Sequence, residues 1–127
     1  MTAPRFVPRS YALSAKDFGT TSQIRWRSAE GLSTGDYVNL RVAQVHHALS
    51  LRVRNAVAVN GTTIMELADG MGMNHLRLGR LLRGEIVLRF EDVVLIDDEL
   101  GTTMLQEIAD VLAGSMNQRR TANDTVR

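Results

Sequence analysis

Apolar residues recur at steps of three and four between residues 36 and 59, which places them along one face of an α-helix. Over 38–42, apolar and polar residues also alternate with a period of two, which is typical of a β-strand. The same alternation occurs over 23–27, so the alternative to a helix from residue 36 is a pair of short strands. The helical stripe consists of Val38, Val42, Val45, Leu49, Val53 and Ala56.

Beyond residue 59, polar residues that cap helix N-termini alternate with glycines that end helices. Two of the caps are threonines followed at the third position by Glu or Gln, which is the capping-box pattern. Four further helices are therefore predicted. The first begins at the Thr63–Glu66 capping box and ends at Gly72, and the second follows the cap Asn74, covers about 75–83 and ends at Gly84. The third covers 90–100 and ends at Gly101, and the fourth begins at the Thr103–Gln106 capping box, covers 103–113 and ends at Gly114.

These elements predict an all-α protein of about five helices in one domain over 36–114. The preceding residues 1–35 are rich in Pro, Gly, Ser and Thr, and we expect an N-terminal arm that is partly flexible. Within it, Trp26 stands between two arginines, a pattern that fits either an arm along DNA or a strand edge. The polar residues 115–127 predict a flexible tail.

The two helices over 64–71 and 75–83 are separated by only three residues, which is typical of a helix-turn-helix. So tight a turn needs a residue that can adopt a positive φ, and Gly72 supplies it. Ala68 allows the two helices to approach closely. The angle between them is expected to be filled by Leu67, Ala68, Met71, Met73, Leu78 and Leu81.

This region resembles the lambda-repressor-like, Xre-type (Cro/repressor) family over residues 49–101. The family's usual form places Leu-Ala, then Gly-Val-Ser after three residues, then Ile-Ser after three more, and a closing Gly. Here the matching residues, in the same register without a gap, are Thr63, Glu66-Leu67-Ala68, Gly72-Met73-Asn74, Leu78-Gly79, Leu81 and Gly84. The resemblance implies a helix-turn-helix fold whose second helix enters the major groove of DNA.

The sequence departs from the family pattern at two places. Ile64 stands where the family often has a Gln that contacts phosphate, and Leu82 stands where it often has a Glu. In some members that Glu pairs with an Arg that corresponds to Val57 here. We therefore expect a hydrophobic contact in place of a buried ion pair, a replacement that is often neutral or stabilising.

The recognition helix has a leucine face and an arginine face. At 100° per residue, Leu78, Leu81 and Leu82 lie together, opposite Leu76 and Arg80. An arginine face is commonly just solvated, but Arg also reads guanine through a bidentate contact in the major groove. The residues predicted to read bases are His75, Leu76, Arg77 and Arg80, and those predicted to contact phosphate are Thr63, Asn74, Arg83 and Arg89.

The charges are distributed unevenly along the chain, and this bears on the kind of partner the protein binds. Residues 1–90 carry 12 Lys and Arg against 6 Asp and Glu, whereas residues 91–127 carry 3 against 8. Such asymmetry fits a polyanion bound on one side of the protein, and chance sorting of solvated charges is the alternative.

Several classes of function are not expected. The absence of cysteine excludes disulfides and thiolate chemistry. No apolar run approaches the roughly 18–20 residues that span a bilayer, and no signal-peptide pattern is present, so we expect a cytoplasmic protein with no membrane partner. His46 and His47 are adjacent and point to different faces of a helix, so no metal site is predicted. No catalytic constellation occurs, so neither an enzyme nor a cofactor is expected.

The leading hypothesis is a sequence-specific transcriptional regulator from a bacterium, phage or plasmid that binds double-stranded DNA as a homodimer on a two-fold operator. The dimer surface is expected to be either the valine stripe of the first helix or the helix over 103–113. The alternative is a protein-interaction module, such as an antitoxin or a transcription adaptor, that binds a partner through helix 36–48 or helix 103–113.

Overall fold

Five α-helical segments follow one another in the part of the chain, residues 6–102, 104 and 106–114, that the computed structural model describes. They are α1 (Thr34–Val59), α2 (Ile64–Met71), α3 (His75–Leu82), α4 (Phe90–Leu100) and α5 (104 and 106–114). Two short 3-10 helices, Pro8–Tyr11 and Ala15–Asp17, precede α1. The predicted all-α class is confirmed, since these residues contain helices and no β-strand.

Helix α1 begins at a side-chain cap. The Ser33 hydroxyl oxygen accepts a hydrogen bond from the backbone N–H of Asp36 at 3.2 Å. The helix includes all of 36–59, so the long helix is confirmed and the strand alternative over 38–42 is wrong. Trp26 makes only an isolated bridge, with Ala12, because the backbone groups of 38–42 are already paired inside α1.

The capping box predicted at α2 is only half formed. The Thr63 hydroxyl oxygen accepts from the Glu66 N–H at 3.1 Å, as expected. The Glu66 carboxylate instead accepts from the hydroxyl of Thr62 at 3.0 Å. At α5, the expected cap Thr103 lies outside the described residues, and the Asp97 carboxylate accepts from the Met104 N–H at 2.9 Å.

The main core lies where the second half of α1 meets α2, α3 and α4. Val57 and Leu82, for which a hydrophobic contact was expected, are both buried in it. Because an apolar pair needs no hydrogen-bond partners, this core avoids the desolvation cost of a buried charge pair. Its buried members are Leu49, Val53, Val57, Leu67, Ala68, Leu78, Leu81, Leu82, Val93, Ile96 and Met104.

Residues 6–33 form a second, smaller cluster against the first half of α1. Phe18 is 1% exposed, and its ring stands edge-on to Trp26 with a centroid separation of 6.1 Å. The expected arm therefore packs as part of the protein over 6–33, because its irregularly spaced aromatic residues bury together on Leu40 and Ala43. The predicted tail over 115–127 lies outside the described residues.

No helix in the described part of the chain is both long and apolar enough to cross a bilayer.

Candidate nucleic-acid interface

The two faces of α3 differ in burial, and this difference defines the candidate interface. Leu78, Leu81 and Leu82 are at most 1% exposed and belong to the main core. On the opposite face, Leu76 is 66% exposed and Arg80 is also exposed. The arrangement of leucine and arginine faces predicted from the sequence is therefore present, with the leucine face inward.

A three-residue turn positions α3 relative to α2. Gly72 adopts φ 68° and ψ 26°, a left-handed conformation that disfavours residues with a Cβ. The Asn74 side-chain oxygen then accepts from the N–H groups of Leu76 and Arg77, at 2.8 and 3.3 Å, and so caps α3. Ala68 is completely buried, as expected for a residue where the two helices approach closely. The N-terminal turn of α3 is thus held in one orientation.

Arg77, which the sequence predicts to read bases, is paired with a carboxylate inside the protein. Its two terminal nitrogens donate to the two carboxylate oxygens of Asp92, at 3.1 and 3.2 Å. Asp92 is completely buried in the first turn of α4. Arg77 therefore ties α3 to α4. Helical periodicity placed it near the exposed face, and a carboxylate on another helix holds its guanidinium.

The electrostatics of Asp92 support this positioning role. Burial opposes its ionisation, but the hydrogen bonds from Arg77 and from the Arg89 backbone outweigh burial and hold the pKa of the carboxyl below its usual value. A buried carboxylate with several donors is charged at neutral pH. It therefore provides a fixed anchor for the Arg77 guanidinium.

The other three predicted base readers lie on the exposed face of α3. His75 and Leu76 occupy its first turn, and Arg80 follows one turn later. The guanidinium of Arg80 makes no ion pair with any described residue. This side chain can therefore reach a base edge without breaking an internal contact.

The predicted phosphate contacts occupy helix ends around α3. Thr63 and Asn74 are exposed at the N-termini of α2 and α3, where backbone N–H groups favour anions. Arg83 follows α3, and its Nε lies 2.7 Å from Glu85. Arg89 precedes α4 and lies 2.8 Å from Glu91. Because exposed ion pairs of this kind contribute little free energy, a phosphate can replace either carboxylate.

Gly79 leaves space on the exposed side of α3 for another side chain. A Cβ at this position would lie 3.1 Å from a terminal nitrogen of Arg83. The Arg83 guanidinium therefore lies over Gly79, where a larger residue would meet it.

Two buried histidines support the interface from behind and were not predicted to do so. A His46 ring nitrogen lies 2.6 Å from the carbonyl oxygen of Leu81 in the last turn of α3. The His47 Nδ1 accepts from the backbone N–H of Gly19 at 2.8 Å. Both rings stand edge-on to Phe18, at 5.1 and 5.4 Å between centroids. They link the N-terminal segment to α3, a long-range arrangement that the pattern along the chain does not indicate.

Asp92 is the other supporting residue that sequence reasoning missed. A signal for it exists, since its carboxylate accepts from the Arg89 N–H at 3.0 Å and so caps α4 at the third position. Its partnership with Arg77 follows only from how α3 packs on α4.

Among the described residues, no group of three or more His, Asp or Glu side chains is placed to hold a metal ion. Comparison of the chain with protein-family models, curated proteins and solved structures found no match.

Proposed function

We propose that this protein is a sequence-specific DNA-binding regulator of transcription that places α3 in the major groove of double-stranded DNA. The observation that carries the proposal is the exposed face of α3, where Leu76 and Arg80 project from a helix whose opposite face is buried. The unbroken family spacing over 49–101 supports a lambda-repressor-like fold for this part of the chain.

The geometry supports a division of roles along α3. Arg80 reads guanine through its O6 and N7 acceptors, and Leu76 contacts a thymine methyl group. His75, at the start of the helix, contacts a neighbouring base. Thr63, Asn74, Arg83 and Arg89 contact phosphates on either side. Arg77 holds α3 in place through Asp92 and does not reach the bases.

The proposal is tested by selecting genomic fragments that the purified protein retains and measuring binding of the selected duplex at several salt concentrations. A DNA-binding protein loses affinity linearly in a plot of log affinity against log salt. Absence of binding to any fragment at low salt would contradict the proposal.

The Arg80→Ala variant is expected to bind the selected duplex about 5- to 150-fold more weakly, which corresponds to about 1–3 kcal/mol for one bidentate contact. Discrimination at one base pair should relax, because the lost contact reads one guanine. The matched control is Arg80→Lys, which keeps the charge but not the planar fork. Affinity is measured by fluorescence anisotropy on the selected duplex and on single-substituted duplexes, and unchanged discrimination in both variants would remove the base-reading role.

We further propose that the protein binds DNA as a homodimer. One such domain reads only a few base pairs, so a second copy is needed for a specific site. An apolar groove of about 560 Å³ between α1, α4 and α5 offers the surface, lined in part by Val38, Val42 and Phe90. These side chains are 50%, 42% and 70% exposed in the single chain, and burial against a second copy would remove this apolar area from water.

The Val42→Glu variant is expected to be monomeric and to bind the selected duplex at least about tenfold more weakly, since a carboxylate in the apolar contact costs more than 1.4 kcal/mol. Val59→Glu is the matched control, because Val59 lies at the end of the same helix, is 76% exposed and does not line the groove. Sedimentation velocity distinguishes the two. Val42→Glu and Val59→Glu proteins with the same sedimentation coefficient would exclude this surface.

The same groove favours a second candidate function, a module that binds a partner protein through α1 residues 36–48 or through 103–113. In that case Val42→Glu abolishes partner binding and Arg80→Ala has no effect. Salt-dependent binding to DNA separates the two functions.

A further inference from the structure

The N-terminal segment reaches the C-terminal end of α3 and packs on it. The backbone N–H of Arg9 donates to the carbonyl oxygen of Gly84 at 3.0 Å. The ring of Phe18 lies so close to Gly84 that a Cβ at this position would come within 2.5 Å of it. Arg9 is therefore held beside the loop that follows α3, although it is more than 70 residues away in the sequence.

Arg9 joins a group of arginines at this end of the helix. The Nε of Arg83 donates to the Glu85 carboxylate at 2.7 Å, and its guanidinium lies over Gly79. The hydrogen bond from Arg83 lowers the pKa of Glu85, and the charges of Arg83, Arg9 and Arg80 lower it further. Three guanidinium groups thus act on one carboxylate.

A fourth arginine comes from α1. Val53 and Leu82, the residues that precede Arg54 and Arg83, belong to the same buried core, which brings α1 and the end of α3 together here. Burial lowers the pKa of Arg54, and the positive charge of Arg83 lowers it further. The Nε of Arg54 is buried and has no hydrogen-bond partner among the described residues. Glu85 pairs with Arg83 and leaves this Arg54 donor unsatisfied. A buried donor without a partner is unfavourable, and a bound anion relieves it.

We propose that Arg9, Arg54 and Arg83 form a phosphate-binding site for the DNA backbone beside the groove that α3 enters. The guanidinium fork matches the oxygens of a phosphate, and the three residues come from the N-terminal segment, α1 and the end of α3. The inference rests on the proposed function and extends it: Arg9 and Arg54 lie outside the two helices of the helix-turn-helix. The N-terminal segment is thereby part of the DNA-binding surface.

The test uses the full chain and the duplex selected as above. Arg9→Gln and Arg54→Gln are each expected to make the negative slope of log affinity against log salt shallower by about 0.9, the value for one phosphate contact. Base preference should be unchanged. Arg54→Lys keeps the charge and should retain the slope. The matched control is Arg52→Gln, because Arg52 lies on the opposite face of α1 and pairs with Glu107 at 3.4 Å.

The outcomes separate this site from the proposed function. If Arg80→Ala relaxes base preference while Arg9→Gln and Arg54→Gln keep the wild-type slope, the phosphate site is wrong and the function stands. If the two Gln variants lose slope while Arg80→Ala changes nothing, the phosphate site stands and base reading by α3 is wrong. Equal slopes for Arg54→Gln, Arg54→Lys and Arg52→Gln would also overturn the site.

A second measurement distinguishes DNA from a small phosphate ligand. Melting temperatures are compared in sodium phosphate and in sodium chloride at equal ionic strength. Stabilisation by phosphate that Arg54→Gln reduces, together with the lost slope on DNA, is the expected result. Stabilisation that Arg54→Gln abolishes, with an unchanged slope on DNA, would overturn the assignment to the DNA backbone.

Discussion

The Arg77→Ala variant is expected to lose about 2–3 kcal/mol of unfolding free energy, because it leaves the buried Asp92 carboxylate without the two hydrogen bonds from the Arg77 guanidinium. The matched control on the same helix is Arg80→Ala, which should stay within about 0.5 kcal/mol of the wild type, since Arg80 is exposed. Urea unfolding followed by circular dichroism measures both.

A double-mutant cycle identifies the cause of the loss. Arg77→Ala combined with Asp92→Ala should cost less than the two single changes added together, because the second change removes the charge that the first leaves unpaired. Simple additivity would show that the pair is not coupled. A base-reading Arg77 gives a different result: Arg77→Ala would then keep wild-type stability and relax discrimination at one base pair.

The protein is expected to lose stability as the pH falls below about 6.5. Burial lowers the pKa of His46 to about 4, an effect that the hydrogen bond to Leu81 only partly offsets. The unfolded chain therefore binds the proton first, near pH 6.5, and favours unfolding more strongly until the pH reaches about 4. His46 alone accounts for about 3 kcal/mol lost between these two pH values, at about 1.4 kcal/mol per pKa unit.

Two other groups act in the same direction. Burial also lowers the pKa of His47, so its contribution is likewise lost as the pH falls below 6.5. The pKa of Asp92 is lowered in the folded state, so its stabilisation is present above the usual carboxyl range and is lost as the pH falls through the lowered value. Most of the loss above pH 4 should therefore come from the histidines.

The His46→Gln variant tests this assignment, since its amide can still donate to Leu81 but does not titrate. Its unfolding free energy should vary less between pH 6.5 and 4 than that of the wild type. His75→Gln is the control and should keep the wild-type pH dependence, because His75 is exposed to solvent in the folded protein. An NMR titration of the wild type that places the His46 midpoint near 6.5 would contradict the prediction directly.

The sequence predicted the helices of this protein well because their signals are local. The caps at Thr63 and Asn74 and the left-handed Gly72 act within four residues along the chain. The spacing of Leu78, Leu81 and Leu82 follows from the helical repeat, and all three are buried. The prediction of helix α1 was correct even though 38–42 also shows the period-two alternation of a strand. A helix of 26 residues pairs its own backbone hydrogen-bonding groups, whereas two short strands over 23–27 and 38–42 would have had no third strand to pair with.

The candidate site was predicted less completely, because a helical wheel places side chains without their neighbours on other helices. Arg77 and Arg80 look equivalent on α3, yet Asp92 of α4 holds only the first. The expected arm over 6–33 is likewise packed, since its aromatic residues have no period that indicates burial.

The amino-acid sequence by itself determined the number of helices, their ends and the face of α3 that is buried, because hydrogen-bond caps, glycine conformations and helical periodicity depend on residues a few positions apart. Only the tertiary structure decided which cations are available on the opposite face. That choice depends on groups brought together from distant positions: Asp92 against Arg77, and the backbone of Arg9 against Gly84, which follows Arg83. Charge pairing acts through space, so folding assigned one arginine of α3 to the structure and left Arg80 exposed for the proposed contact with DNA.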